Sequence, residues 1–270
     1  MSEWTTLAMA MPLMDRPQPM VSWLLAAAAV VIVGVSKSGF GGGVGIVAVP
    51  LFVLAFGDPE PAIAALLPLL IVADIFSVYH HWGTWDRPNL RQMLPGSMVG
   101  IAIGAMLIVL FRQMGRLDEQ KQVMRMAIGM ICLAYPLLEL VKGRYAPHWH
   151  LKPTVLGGSI TGLCAGTVST LSHAAGPVAS IYLLAQHQPR QAFIGTLVLY
   201  FLIVNTVKLI PYGMLGMIDP TTLWAGLWLL PLIPVGTTLG ARLNRSMNET
   251  IFRRCIFTLV VVTGIQLVRG

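Results

Sequence analysis

Apolar stretches about as long as a bilayer core is thick recur from one end of this 270-residue sequence to the other, and they leave no room for a soluble domain between them. A chain of this kind must satisfy its backbone N–H and C=O groups internally, because lipid offers them no partner. Hydrophobic residues make up 56% of the chain, charged residues only 11%, and the mean hydropathy is +0.74, so a soluble class is excluded. The expected fold is all-α, a polytopic helical membrane protein. The runs predict helices over 21–35, 43–56, 61–79, 93–111, 123–141, 154–168, 174–186, 191–210, 223–243 and 251–268.

The net charge of +7 does not point to nucleic acid. Its basic residues gather in short clusters between apolar runs: Arg112, Arg116, Lys121 and Arg125 in one place, Arg242, Arg245, Arg253 and Arg254 in another. Membrane flanks facing anionic lipid have this pattern. Segment 1–20 carries Glu3 and Asp15 without a basic start, so it does not read as a cleaved signal peptide. Cys132, Cys164 and Cys255 are scattered through apolar runs and read as small buried hydrophobes.

The order of elements repeats. In each half a polar break is followed by a full apolar helix, a Gly-to-Asp turn (Gly83 to Asp86, Gly216 to Asp219), a helix with GxxxG spacing (Gly100 and Gly104, Gly236 and Gly240) and a basic loop. The organisation expected is an N-terminal segment at 1–20 and membrane repeats at 21–142 and 143–270. Each repeat holds a broken or re-entrant helix pair followed by three transmembrane helices. The Lys and Arg distribution fits inverted and parallel repeats alike; the inverted arrangement, common among secondary transporters, is the one expected. The glycine pairs are read as close helix contacts.

The first break is "GVSKSGFGGGVG". Each of Gly39, Gly41, Gly42 and Gly43 costs about 1 kcal/mol against Ala inside a helix. Lys37 costs about 3 kcal/mol at the bilayer centre. The chain is therefore expected to unwind here, baring backbone N–H groups beside Lys37, Ser36 and Ser38 and beside the positive end of a helix starting near Gly43. That is an anion site. The second break supplies Ser169, Thr170, Ser172 and His173, followed by Gly176 and Pro177. Asp74 and Asn205 interrupt otherwise apolar helices, with Lys208 three residues beyond Asn205; a buried carboxylate needs a partner, and Lys37 and Lys208 are the candidates. Such a pair could carry a coupling proton. His80 and His81 have no second ligand cluster near them in sequence, and with Trp82 and Trp85 they read as an interfacial belt rather than a metal site. No metal or cofactor is expected, and no ATP-binding motif is visible.

"GVSKSGFGGGVGIVAVPL", "LPLLIVADIFSVY" with "WDRPNLRQMLPGSMVGIAIG" after it, and "SHAAGP" followed by "GTLVLYFLIVNTVKLIPYGMLG" together resemble the sulfite exporter TauE/SafE family of membrane transporters. The resemblance implies a multi-pass carrier of the bacterial inner membrane that moves sulfite, sulfoacetate or other organosulfonates, most often outward. It points to Lys37, Gly39, Gly41 to Gly43, Asp74, His173, Asn205 and Lys208. The expected substrate-binding set is Lys37, Ser38, Gly39, Gly41, Gly42, Gly43, Ser172, His173, Asn205 and Lys208, with Asp74 as coupling or ion-pair residue. Expected partners are a small anion, the lipid bilayer and protons or another coupling ion; oligomer formation stays open. The alternatives are a carrier of another small organic or inorganic anion, an intramembrane enzyme using Ser172 beside His173, or a membrane assembly factor. The enzyme lacks an acidic orienter, and a scaffold gains nothing from Lys37 and Asp74 in lipid.

Overall fold

The computed structural model describes residues 17–42, 48–57, 59–114, 154–218 and 220–248, with single positions such as Leu13 outside them. The helix expected at 123–141 lies almost wholly outside the described residues, and of that at 251–268 scattered positions such as Ile251, Arg254 and Val262 are described, each as helix. Gly43, Asp219 and the basic residues Arg116, Lys121, Arg125 and Arg253 also fall outside. Among the described residues every regular element is an α-helix: α1 Pro19–Phe40, α2 Ala48–Phe56, α3 Pro59–His80, α4 Arg87–Met114, α5 Val155–Ser172, α6 Gly176–Leu184, α7 Arg190–Met214, α8 Pro220–Leu229 and α9 Leu232–Ser246.

Helices α1, α3, α4, α5 and α7 are each long and apolar enough to cross a bilayer, and α8 and α9 qualify together although they meet at 51°. The chain is a multi-pass membrane protein. The run expected as one helix over 223–243 is therefore broken. Pro231 and Pro234 lack the N–H groups a continuous ladder needs, so the chain turns at Leu230 and restarts with Ile233 N–H on Leu230 O at 3.0 Å. Helix starts follow local chemistry. Thr154 Oγ1 accepts from Gly157 N–H at 3.0 Å to cap α5, and Asp86 Oδ1 accepts from Asn89 N–H at 3.1 Å to cap α4.

The expectation that the chain unwinds at Lys37 is corrected. Helix α1 runs through Ser36, Lys37, Ser38 and Gly39 and stops only at Phe40, where Gly41 takes a left-handed φ of 66° that a residue with a Cβ adopts at a cost. Two features outside the segment offset what propensity charges against it. Lys37 has a carboxylate beside it, and Gly39 is where another backbone comes close.

That backbone belongs to α9. A Cβ on Gly240 would stand 2.5 Å from Val35 O, and one on Gly236 would stand 2.7 Å from Val31 O, so α9 lies directly on α1. Helices α4 and α5 meet in the same way. A Cβ on Gly166 would stand 2.5 Å from Ser97 O, and one on Gly104 would stand 2.7 Å from Thr170 Cβ. The glycine pairs thus act as close-contact seams, as their spacing suggested. The seams cross over: the last described helix of each half packs on the first helix of the other. Between them α3 and α7 lie side by side as the most enclosed spans, 61% of each buried against 33–39% for α1, α4 and α5. Asp74 on α3 and Asn205 and Lys208 on α7 are among the residues buried there.

Candidate functional site

Asp74 on α3 and Asn205 on α7 meet where the two central helices touch, Asn205 Nδ2 donating to Asp74 Oδ2 at 2.6 Å. The other oxygen, Oδ1, lies 2.7 Å from Lys37 Nζ. Asp74 is fully buried and Lys37 is 6% exposed, so this is an ion pair out of water. The Coulomb gain between such groups offsets a large desolvation cost only while both partners stay. The ammonium also stands 4.5 Å from the centroid of the Phe201 ring, on the negative face of its π-system. Between the two candidate partners of Asp74, the structure chooses Lys37.

Lys208 is held elsewhere. Its Nζ contacts Ser169 O at 3.0 Å, Ser169 Oγ at 2.9 Å and His173 Nδ1 at 2.8 Å, which accounts for all three donors of an ammonium. His173 turns its other nitrogen, Nε2, to Ile63 O at 3.0 Å. A carbonyl only accepts, so Nε2 carries a hydrogen and Nδ1 is left to accept from Lys208. His173 follows the last residue of α5 with φ 54°, the left-handed position that Gly41 fills after α1. A non-glycine residue there costs about 1 kcal/mol, and the ring's two hydrogen bonds accompany that strain.

A third network fastens the end of α1. Ser38 Oγ and Ser77 Oγ are 2.7 Å apart, His81 Nε2 meets Ser38 O at 2.8 Å, and Asn244 Nδ2 donates to Gly39 O at 3.1 Å. His81 Nδ1 meets Gln191 Oε1 at 3.1 Å. Burial draws the His81 imidazole below its ordinary pKa range, against the pull of these bonds and helped by the Arg245 and Arg190 charges. Trp82 is exposed and sits edge-on to Trp85, whereas the expectation that His81 sits in a belt beside them is corrected, because its ring is buried against the polar end of α1.

These clusters border one pocket. Its wall carries Lys37, Gly42, Ser169, His173, Gly176, Phe201 and Asn205, and on its apolar side Val33, Val49, Leu66 and Leu70. The two breaks, one from each half, therefore meet here. Of the expected set, Lys37, Gly42, His173 and Asn205 reach the wall. Asp74 and Lys208 stand one layer behind, each holding a wall residue. Ser38, Gly39 and Ser172 do not face it: Ser38 bonds Ser77, Gly39 lies against Gly240, and Ser172 Oγ donates to Val168 O at 3.2 Å. Ser172 and His173 are thus not a nucleophile and its base, since the hydroxyl and both ring nitrogens are engaged with other groups.

The bared N–H groups expected at the glycines are corrected as well. Gly41 N–H bonds Lys37 O at 3.1 Å and Gly42 N–H bonds Ser36 O at 2.9 Å, closing the helix end and leaving neither donor for a ligand. The first turn of α6 brings a positive helix end to the wall at Gly176, and the described part of α2 reaches the wall at Val49. Phe201, Leu66 and Leu70 were missed by sequence reasoning, because an apolar residue in an apolar helix gives no sign of which way it faces.

Against known families, the chain matches the model described as "Sulfite exporter TauE/SafE" over residues 26–267. No curated protein matches it. No solved structure matches it either.

Proposed function

The chain belongs to the sulfite exporter TauE/SafE family of membrane transporters, and on that premise we propose that it is a secondary carrier of a small sulfur-containing anion. Sulfite, sulfoacetate or another organosulfonate would be moved outward across the inner membrane, driven by a proton or other ion gradient. The observation that carries this reading is the shared pocket. Two cationic groups, Lys37 directly and Lys208 through His173, serve one small cavity between helices that cross the membrane.

The chemistry suits an oxyanion with a short apolar body. Lys37, the Ser169 hydroxyl and the Asn205 amide can meet charged oxygens, while Phe201, Leu66 and Leu70 offer apolar surface. The first turn of α6 adds a favourable dipole. The halves would be inverted repeats, with α1 to α3 and α5 to α7 as counterparts, and alternating access would come from one rocking against the other about the α3–α7 contact.

Flux through liposomes tests the assignment. Wild-type protein should move labelled sulfite or sulfoacetate, and Lys37→Ala should lose at least about 90% of that rate, as expected when a charged contact of about 1.4 kcal/mol or more is removed. Because Lys37→Ala strands the Asp74 carboxylate, Lys37→Met with Asp74→Asn serves as the folded control and should be equally inactive. Wild-type flux in both would remove Lys37 from the site.

A further inference from the structure

Asp74 and Asn205, which touch where α3 meets α7, lie 131 positions apart in the sequence. The same offset carries a set of contacts from one half to the other. Ser38, near the end of α1, meets Ser77 on α3, 39 residues on. Ser169, near the end of α5, meets Lys208 on α7, also 39 residues on. One turn further along the chain, His81 Nε2 reaches Ser38 O at 2.8 Å and Tyr212 Oη donates to Thr170 O at 2.7 Å. Ser38, Ser77 and His81 thus stand 131 positions before Ser169, Lys208 and Tyr212. The residue types differ between the halves, but each set fastens the end of its half's first helix to its half's central helix. The central helices run antiparallel. Thr84, just past the end of α3, lies against Gly195 near the start of α7, and Leu215, just past the end of α7, packs into the cluster that holds Ala64, near the start of α3. Seven residues, about 10 Å of helix, therefore separate His81 from Asp74 toward one membrane face and Tyr212 from Asn205 toward the other.

We propose that these two sets of contacts are the latches of two gates, one between the pocket and each face of the membrane. This rests on the reading of the chain as a carrier with that pocket. Helices α1 and α9 are locked together by their glycine seam and move as one arm; α4 and α5, locked likewise, form the other. The contacts of Ser38 with Ser77 and His81 join the first arm to the chain of α3, and those of Ser169 and Thr170 with Lys208 and Tyr212 join the second to α7. Each set lies outward from the contact of Asp74 with Asn205, between it and the nearer face. Parting one latch while the other holds admits the anion from that face alone, whereas parting both would short-circuit the gradient. A hydrogen bond nets little against the bonds its partners make to water, so water entering at a parted latch takes over its donors and acceptors and the opening is cheap. In this structure both latches are closed, the state that separates one opening from the next.

Access of a thiol reagent to the pocket tests this on the full chain. With Cys132, Cys164 and Cys255 replaced by serine, Leu70→Cys places a single thiol on the pocket wall, and a membrane-impermeant methanethiosulfonate is applied to sealed vesicles of either orientation. Trp82→Cys and Met214→Cys, at exposed positions by the ends of α3 and α7, mark the two faces. Ser77→Ala and Tyr212→Phe each delete one latch hydroxyl and no contact of the pocket wall. Ser77→Ala should speed labelling of the pocket thiol from the Trp82 face, and Tyr212→Phe from the Met214 face, by about fivefold, the population shift expected from one lost hydrogen bond. Neither should gain from the opposite face, a selectivity that general loosening of the fold would not give. Should Ser77→Ala not fold, His81→Leu takes its place with the same expected face; Val33→Cys likewise replaces Leu70→Cys. A gain from both faces, gains at exchanged faces, or no gain in either variant overturns the latches. The labelling needs no transported anion, so such a result leaves the carrier reading standing. Absence of flux of sulfite, sulfoacetate and methanesulfonate through the wild-type protein overturns that reading, and the gates with it.

Discussion

Lys37 and Lys208 both place an amine within the membrane-crossing part of the fold, and the two are held by different means. Lys37 has one carboxylate and one aromatic face, so a ligand can draw it away by offering a better anion. Lys208 has two contacts to Ser169 and one to His173, a full set that fixes its amine in place. His81 shows a titratable group of another sort. Its pKa is lowered chiefly by burial, so the neutral ring is favoured in the folded protein. The unfolded chain then binds the proton first as the medium is acidified. The stability His81 contributes is present above the ordinary histidine value of about 6.5 and is lost as pH falls below it. Thermal melting in detergent between about pH 7.5 and 5.5 should show this loss, and His81→Gln should flatten it. An unchanged slope in His81→Gln would place the acid sensitivity elsewhere.

Among elements, the seam of α9 on α1 is a contact that a single added methyl group would disturb. Gly240→Val would force the two backbones apart at Val35 and Gly39, and should cost about 1–3 kcal/mol. The same change at exposed Gly213, which has open space around it, should cost little beyond helix propensity. Melting of the two variants in one detergent compares them directly; equal losses would mean that the seam is not tight. The seam also explains what could be read in advance. Apolar runs and GxxxG spacing are local patterns, so the helices and their contact glycines are legible in the sequence. The continuation of α1 through "SKSGF" is not, because Asp74 lies 37 residues from Lys37 in sequence and Asn244 lies 205 from Gly39. Local propensity counts the cost of Lys37 and Gly39 and cannot see the partners that offset it. For the site, Lys37, Asp74, His173, Asn205 and Lys208 stand out as polar residues in apolar surroundings, whereas Phe201 and Leu66 differ in nothing from core residues.

At the level of the whole molecule, the pocket exists only where both halves contribute, since Lys37, Gly42 and Val49 come from one and Ser169, His173 and Asn205 from the other. The two halves, cut between α4 and α5 and produced together in one cell, should reassemble into a carrier with a measurable share of intact flux, while neither alone moves anion. Flux from a single half would contradict the shared cavity. The crossed seams carry a consequence for how the protein is made. Helix α1 leaves the ribosome before α9, and the α9 surface that packs on its glycine face emerges some 200 residues later. Until then the newborn helix must wait in the bilayer with that stripe bare, open to insertion chaperones and to degradation, so release of the finished C-terminal half is the step that seals its beginning.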